Sequence, residues 1–194
     1  MTKGRLEAFS DGVLAIIITI MVLELHPPEG ESLSDLVALW PKFLAYVLSF
    51  IYLGIYWANH HHLLHAARTI SGSVLWANLH LLFWLSLVPA GTAWLGITGF
   101  APVPVAVYGF LLLMPAIAYS ILVQRLVRAP GQNPALIDAL GNFRKGQLSV
   151  LLYTLSIPVG LFFPAAAVAL FAIVAAMWFI PDRRFEPRAD SLPS

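Results

Sequence analysis

Histidines and carboxylates are the side chains of this sequence with the clearest potential for chemistry, because the chain has no cysteine. His61 and His65 are four residues apart, which is the spacing of two metal ligands on one helix face, and His80 is a candidate third ligand. A metal hydroxylase would need several such pairs and more carboxylates beside them. A serine hydrolase would need a glycine-flanked serine and a partner histidine, and no such pairing is evident. We therefore predict no catalytic residue, no metal and no cofactor, and a protein that is not an enzyme.

The composition indicates that membrane helices position these residues. Of 194 residues, 59% are hydrophobic and 11% are charged, and the mean hydropathy is +0.81. One soluble core could not cover so much apolar side chain. A bilayer core about 30 Å thick needs roughly 20 apolar residues per helix. The candidate stretches are residues 6–25, 39–66, 73–95, 103–127 and 146–180.

The last of these stretches is long enough for two helices with a turn near residues 162–164. We therefore predict an all-α, polytopic six-helix transmembrane bundle, a single domain of residues 1–181, followed by a short cytoplasmic tail, 182–194. Five spans, with one long tilted last helix, is the alternative. Residues 134–143 could form a short surface helix.

The basic residues indicate an orientation. With a cytoplasmic N-terminus, Lys42 is the one basic residue of eleven that falls on the outer side. The first outer loop instead carries Glu29, Glu31 and Asp35. We predict a multi-pass protein of the cell (inner) membrane with both termini in the cytoplasm. Because the cations are dispersed among short loops, we expect no nucleic-acid partner.

One face of the first span has the pattern of a pore lining. At about 100° per residue, Gly12, Ile16, Thr19 and Leu23 lie in one narrow stripe. Plain helix packing explains the same stripe, with Thr19 bonded to a carbonyl one turn back. The spacing alone leaves both interpretations open.

Polar residues of the first three spans lie at a similar depth. Arg5 and Glu7 can reach the interface with long side chains, but Asp11 cannot. A buried carboxylate needs donors, which histidine, amide and indole side chains supply. We expect one polar network that fastens the first span to the next two, formed by Arg5, Ser10, Asp11, Trp57, Asn59, His60, His61, Asn78 and His80. His62 and His65 are expected to face cytoplasmic headgroups.

Several motifs resemble the transmembrane protein 175 family of potassium channels. Residues 5–19 read RLEAFSDGVLAIIIT, similar to the first-helix signature of that family, an arginine, three residues, FSD and an apolar run ending in threonine. Residues 56–62, YWANHHH, resemble the second-helix motif, and Asn78 with residues 85–89, LSLVP, resembles the third helix. The second half of the chain matches only in hydropathy and span count.

The resemblance implies a function and an assembly. Prokaryotic members of the family carry one six-helix repeat and form tetramers around a pore lined by the first helix. It implies a homotetramer in the bilayer, with K⁺, and also protons, as permeant ions. Ile16, Thr19 and Leu23 would form the pore rings, with isoleucine as the constriction and threonine contributing to selectivity.

A secondary or proton-coupled transporter is the alternative function. Such a protein should place ionisable groups near the membrane midplane and contain broken helices or inverted repeats. The midplane of this chain is almost uncharged, which favours a channel. Pro89, Pro115 and Pro158, which predict kinks inside spans, are compatible with the alternative. A membrane protein that serves only in interactions is the third interpretation.

Overall fold

The computed structural model describes residues 2–132 and 144–179, and this part of the chain is helical, without strands. The all-α class is therefore confirmed. The expected surface helix at 134–143 and the tail from 182 lie outside the described residues. Eight helices are present in the described part, named in chain order: α1 Lys3–Leu23, α2 Leu33–Ala38, α3 Trp40–Ala66, α4 Gly72–Ser86, α5 Val88–Ile97, α6 Pro102–Val127, α7 Arg144–Phe162 and α8 Pro164–Phe179.

Four segments of the described chain are long and apolar enough to cross a membrane. They are α1, α3, the run of α4 and α5 from Gly72–Ile97, and α6, while α8 is a shorter apolar helix. The first four predicted spans coincide with these segments to within a few residues. The last apolar stretch divides into α7 and α8 at Phe163, close to the predicted turn.

The third predicted span is interrupted rather than continuous. α4 ends at Ser86 and α5 begins at Val88, with Leu87 between them at φ −88° and ψ −13°. Pro89 is the second residue of α5. Proline has no backbone N–H to donate to the Leu85 carbonyl, and in a continuous helix its ring would clash with that carbonyl. By contrast, α6 and α7 continue through Pro115 and Pro158.

The helix α2 lies in the loop where the sequence analysis placed only acidic residues. Ser32 caps it, because its side chain accepts from the Asp35 backbone N–H while the Asp35 carboxylate accepts from the Ser32 N–H at 3.0 Å. This reciprocal capping box satisfies two backbone donors that a helix start otherwise leaves open. It explains why six residues form a helix here without burying any side chain.

Two apolar clusters form the core, and α6 contributes to both. One cluster joins α1, α3, α4 and α6 through residues such as Leu14, Leu53 and Leu122. The other joins α3, α6, α7 and α8 around Tyr108 and Phe171. α1 therefore lies on one side of α6, and the pair of α7 and α8 lies on the other side.

Glycines permit the close packing of α6 on α7. A Cβ added at Gly109 would lie 2.8 Å from the Ser156 Oγ, and one added at Gly160 would lie 3.1 Å from the Val105 Cγ1. Small residues at such crossings let membrane helices approach closely. α6 and α7 therefore pack closely against each other.

Candidate pore helix and its polar anchors

One face of α1 is packed against the rest of the bundle. The buried residues follow a spacing of four, four, three and four, which is one helical stripe: Leu6, Ser10, Leu14, Ile17 and Met21. Four of the five side chains are apolar and belong to the cluster formed with α3, α4 and α6. This face fixes how α1 is rotated within the subunit.

The opposite face of α1 has no packing partner within the described subunit. Ile16 is 59% exposed, Leu23 is 71% exposed and Thr19 is exposed as well. At 100° per residue this stripe points about 150° away from the centre of the buried stripe. The three residues predicted to line a pore therefore share the face of α1 that remains available to another subunit, to lipid or to a pore.

The Thr19 hydroxyl is already used as a donor. Its Oγ1 lies 3.0 Å from the carbonyl oxygens of both Ala15 and Ile16 in the preceding turn. Because the hydroxyl proton points back to the helix, the lone pairs of Oγ1 are left on the exposed side. This arrangement suits an oxygen that accepts from water or contacts a cation.

A buried chain of three polar side chains links α1, α3 and α4. Asn78 Nδ2 donates to Ser10 Oγ at 2.9 Å, and Asn78 Oδ1 lies 2.6 Å from His60 Nε2. Since Asn78 uses its amide nitrogen on Ser10, its oxygen must accept, and His60 is the donor through a protonated Nε2. Ser10 in turn donates to the Leu6 carbonyl at 2.9 Å. All three linked side chains are essentially fully buried.

Asp11 makes a separate contact at the edge of this layer. Its Oδ1 accepts from the indole Nε1 of Trp57 at 3.0 Å, and Trp57 is 46% exposed. His61 stacks on Trp57, with ring centroids 6.0 Å apart. The predicted network is thus divided: Asp11 meets the indole, whereas the buried histidine and amide bond to Ser10.

The remaining residues of the predicted network bond within their own helices or lie apart. Asn59 Nδ2 donates to the Ile55 carbonyl at 2.8 Å, and His80 accepts from Trp84 Nε1 at 2.9 Å. Arg5 is exposed and makes no hydrogen bond or ion pair with any described residue.

The histidines do not assemble a three-ligand metal site in the described chain. His61 and His65 stack with centroids 6.0 Å apart, but His80 bonds to Trp84 instead of joining them. No group of three or more histidine, cysteine or acidic side chains that could hold a metal occurs within residues 2–132 and 144–179.

Sequence reasoning missed two sets of contacts that hold the helices. Lys3 Nζ donates to the His65 carbonyl at 2.5 Å, which ties the start of α1 to the end of α3. Ser49 Oγ lies 2.6 Å from Thr92 Oγ1 and 2.7 Å from the Tyr108 hydroxyl, deep in the bundle. Isolated hydroxyls in apolar segments give little sign of such pairing, although a buried hydroxyl needs a partner.

Comparison with known proteins identifies the family of this chain. The sequence profile described as endosomal/lysosomal potassium channel TMEM175 matches residues 5–89. The chain is 55% identical over 186 residues to a protein of Chryseobacterium sp. (strain P1-3) named a potassium channel, covering 96% of this chain and 97% of that one. It is 34% identical over 180 residues to a Streptomyces collinus protein named a potassium channel, covering 88% and 87% of the two chains.

Solved structures give the same result for the fold. A crystal structure of a lysosomal potassium-selective channel TMEM175 homologue from Chamaesiphon minutus superposes with a TM-score of 0.80 at 26% identity, covering 91% of this chain and 96% of that one.

The human endosomal/lysosomal proton channel TMEM175 is a more distant sequence relative, 36% identical over 96 residues, which are 43% of this chain and 19% of the human protein. The resemblance that the motifs of the first three spans indicate is therefore confirmed, and the chain belongs to the TMEM175 family.

Proposed function

We propose that this chain is the subunit of a potassium-permeable cation channel in which four copies of α1 surround a central pore. The observation that carries the proposal is the exposed stripe of Ile16, Thr19 and Leu23 on a helix whose other face is fixed by packing and buried polar contacts. The names of the Chryseobacterium and Streptomyces relatives, both potassium channels, support it.

A single α1 per chain requires several copies around the pore, and the family resemblance sets the proposed number at four. One helix cannot enclose a pore, and a closed ring of copies joined by rotation is the usual way to make one. Four copies would bring each stripe residue together as a ring. The chain itself would be the protein partner, with the bilayer as its surroundings.

The proposed topology has six spans with both termini in the cytoplasm of the cell. α1, α3, the α4 and α5 pair, α6, α7 and α8 would each cross once. α8 has 16 described residues, about 24 Å at 1.5 Å per residue, so the described part of this crossing would be short. Lys3 lies with Arg68, Arg128 and Arg144 at one end of the bundle, in keeping with an excess of cytoplasmic basic residues.

The pore would select by width and hydration. A ring of four Ile16 side chains offers no oxygen ligands, so it cannot replace the water shell of an ion. K⁺ gives up water more easily than Na⁺, and the ring of Thr19 oxygens would add polar contacts next to the constriction. We expect a moderate preference for K⁺ over Na⁺, and passage of protons as a second conductance.

The polar anchors would hold α1 at a fixed rotation around the pore. The chain from Ser10 through Asn78 to His60 sets the angle of α1 relative to α3 and α4, and the contact of Asp11 with Trp57 adds a second constraint. A pore lined by side chains of one stripe needs such constraints, because a turn of α1 by one residue would replace the whole lining.

A transporter is the second candidate, favoured by the break between α4 and α5. Broken helices are typical of substrate sites in secondary transporters. The break at Leu87 is flanked by Ser86 and Val88 and contains no ionisable side chain. Without a group that binds a coupling ion, the break fits a kink caused by Pro89 better than a transport site.

Flux measurement in liposomes tests the proposed function. Purified protein would be reconstituted into vesicles loaded with K⁺, and flux would be followed after addition of a proton carrier, with protein-free vesicles as the control. A channel should release K⁺ down its gradient without any co-substrate and at a rate that does not saturate at low concentration. Flux that appears only with a counter-transported ion or solute would favour the transporter instead.

A further inference from the structure

A groove of about 480 Å³ lies at the end of the bundle where α1 terminates. It is enclosed by the segment after α1, which includes Leu25 and His26, and by α2 with the first turn of α3. Its volume is within the range of about 300–1,000 Å³ that is typical of sites for small molecules. It is separate from the stripe of Ile16, Thr19 and Leu23.

The charge of the groove differs from that of its surroundings. The segment between α1 and α3 carries several carboxylates, yet no carboxylate lines the groove. Two side chains that can carry positive charge do line it, Lys42 and His26. Asp35, the acid of α2, is turned toward Ser32 in the capping box, where hydrogen bonds from the Ser32 hydroxyl and then from its backbone N–H lower the pKa of the Asp35 carboxyl.

Lys42 is held in place but has no anionic partner within the described chain. Its backbone is packed against α5, because a Cβ added at Gly96 would lie 2.8 Å from the Lys42 Cα. Its side chain is half-buried and forms no ion pair with a described residue. Glu24 lines the adjoining cavity with Lys42 and His26 but makes no ion pair with Lys42, so the ammonium group is available to an anion from outside the chain.

The walls of the groove are apolar and exposed. Trp40 and Phe43 are each 59% exposed, and Leu36 and Val37 of α2 are exposed beside them. This surface continues along α3 into the exposed apolar side chains that follow Phe43. Tryptophan at this position is typical of the interface between headgroups and acyl chains.

We propose that this groove binds one anionic phospholipid of the adjacent leaflet. Lys42 and His26 contact the phosphate, and Trp40, Phe43 and α2 cover the first part of an acyl chain. The lipid would connect the segment that follows α1 to α2 and α3. Binding does not depend on the proposed channel function, so the two proposals can fail separately.

Lipid titration of the full-length protein tests the proposal. Native mass spectrometry would count phosphatidylglycerol and phosphatidylcholine bound to the purified protein in detergent. Lys42→Gln should weaken phosphatidylglycerol binding about fivefold, which is the usual contribution of one basic side chain to binding at an anionic membrane surface. Lys42→Arg should retain binding. Arg128→Gln, which removes an exposed cation at the opposite end of the bundle, should leave it unchanged.

Two further measurements distinguish a bound lipid from other occupants of the groove. Trp40→Ala should weaken the binding of both lipids alike, since it removes a contact with the acyl chain and not with the phosphate. Millimolar inorganic phosphate should not displace phosphatidylglycerol; displacement would mean a simple anion site and would overturn the proposal.

A single cysteine tests for a second copy in the groove. Because the chain has no cysteine of its own, Trp40→Cys gives one defined position. Cross-linking between subunits that added phosphatidylglycerol does not reduce would show that another copy fills the groove. Equal phosphatidylglycerol affinity of Lys42→Gln and the unaltered protein would also refute the proposed site.

Discussion

Removal of Asn78 should destabilise the protein more than removal of the charged Asp11. In Asn78→Ala, the Nε2 proton of His60 loses its acceptor in a site that is 1% exposed. Ser10 keeps its bond to the Leu6 carbonyl, so one donor is orphaned rather than two. An orphaned buried donor costs about 1–3 kcal/mol, and the lost side-chain volume adds to this cost.

Asp11→Ala removes a contact that solvent or headgroups can replace. Trp57 is 46% exposed, so its indole N–H finds another acceptor when the carboxylate is gone. We expect a loss of less than about 1 kcal/mol, the range of exposed polar contacts in proteins. The order of the two variants therefore follows from burial and not from charge.

Unfolding in mixed micelles, followed by far-ultraviolet circular dichroism as SDS is added, would measure both losses. A double-mutant cycle with His60→Ala provides the control, because removal of His60 also removes the orphaned donor. The double variant should be less destabilised than the sum of the two single variants. Strict additivity, or a larger loss for Asp11→Ala than for Asn78→Ala, would refute the assignment of the buried anchor.

Three other predictions concern assembly, the threonine ring and α2. Native mass measurement in detergent should give a mass of four chains, and flux-competent protein that is only monomeric or dimeric would contradict the tetramer. Thr19→Ala should lower the preference for K⁺ over Na⁺ in reversal-potential measurements with little change in conductance, whereas unchanged selectivity would remove the hydroxyl from the mechanism. The Ser32 hydroxyl bond holds the folded pKa of Asp35 below its usual range, so its contribution to α2 is present at neutral pH and is lost only as pH falls through that lowered value. NMR of the Ser32 amide should therefore be constant from neutral to mildly acidic pH, and a change near neutrality would contradict the capping box.

The helical class and the proximity of these polar residues could be predicted from sequence, because both depend on hydropathy and on chain direction. Asp11, His60 and Asn78 were placed in one layer by counting turns from the same membrane face. Which of them bond together could not be predicted, because that depends on how α1, α3 and α4 are rotated. A difference of one residue separates Ser10, which is buried in the anchor, from Asp11, which lies at the edge.

Two local features were missed for different reasons. The capping pattern of Ser32 and Asp35 was readable, but α2 is only six residues long and has no buried face to mark it. The break at Leu87 was hidden because the apolar run continues across it, and Pro89 alone does not distinguish a break from a tolerated kink. Pro115, which α6 accommodates without interruption, shows the other outcome.

The central claim is that one face of α1 lines the pore, and bi-ionic reversal potentials of Ile16→Asn and Val22→Asn test it most directly. Val22 is the matched control, since it is 47% exposed and lies about 120° around the helix from Ile16. Ile17 would be a poor control because it is buried, so asparagine there should damage folding. We expect Ile16→Asn to raise flux and reduce the preference for K⁺ over Na⁺, while Val22→Asn leaves the reversal potential unchanged. Equal shifts for the two variants, or a shift for Val22→Asn alone, would mean that a different face lines the pore or that α1 does not line it.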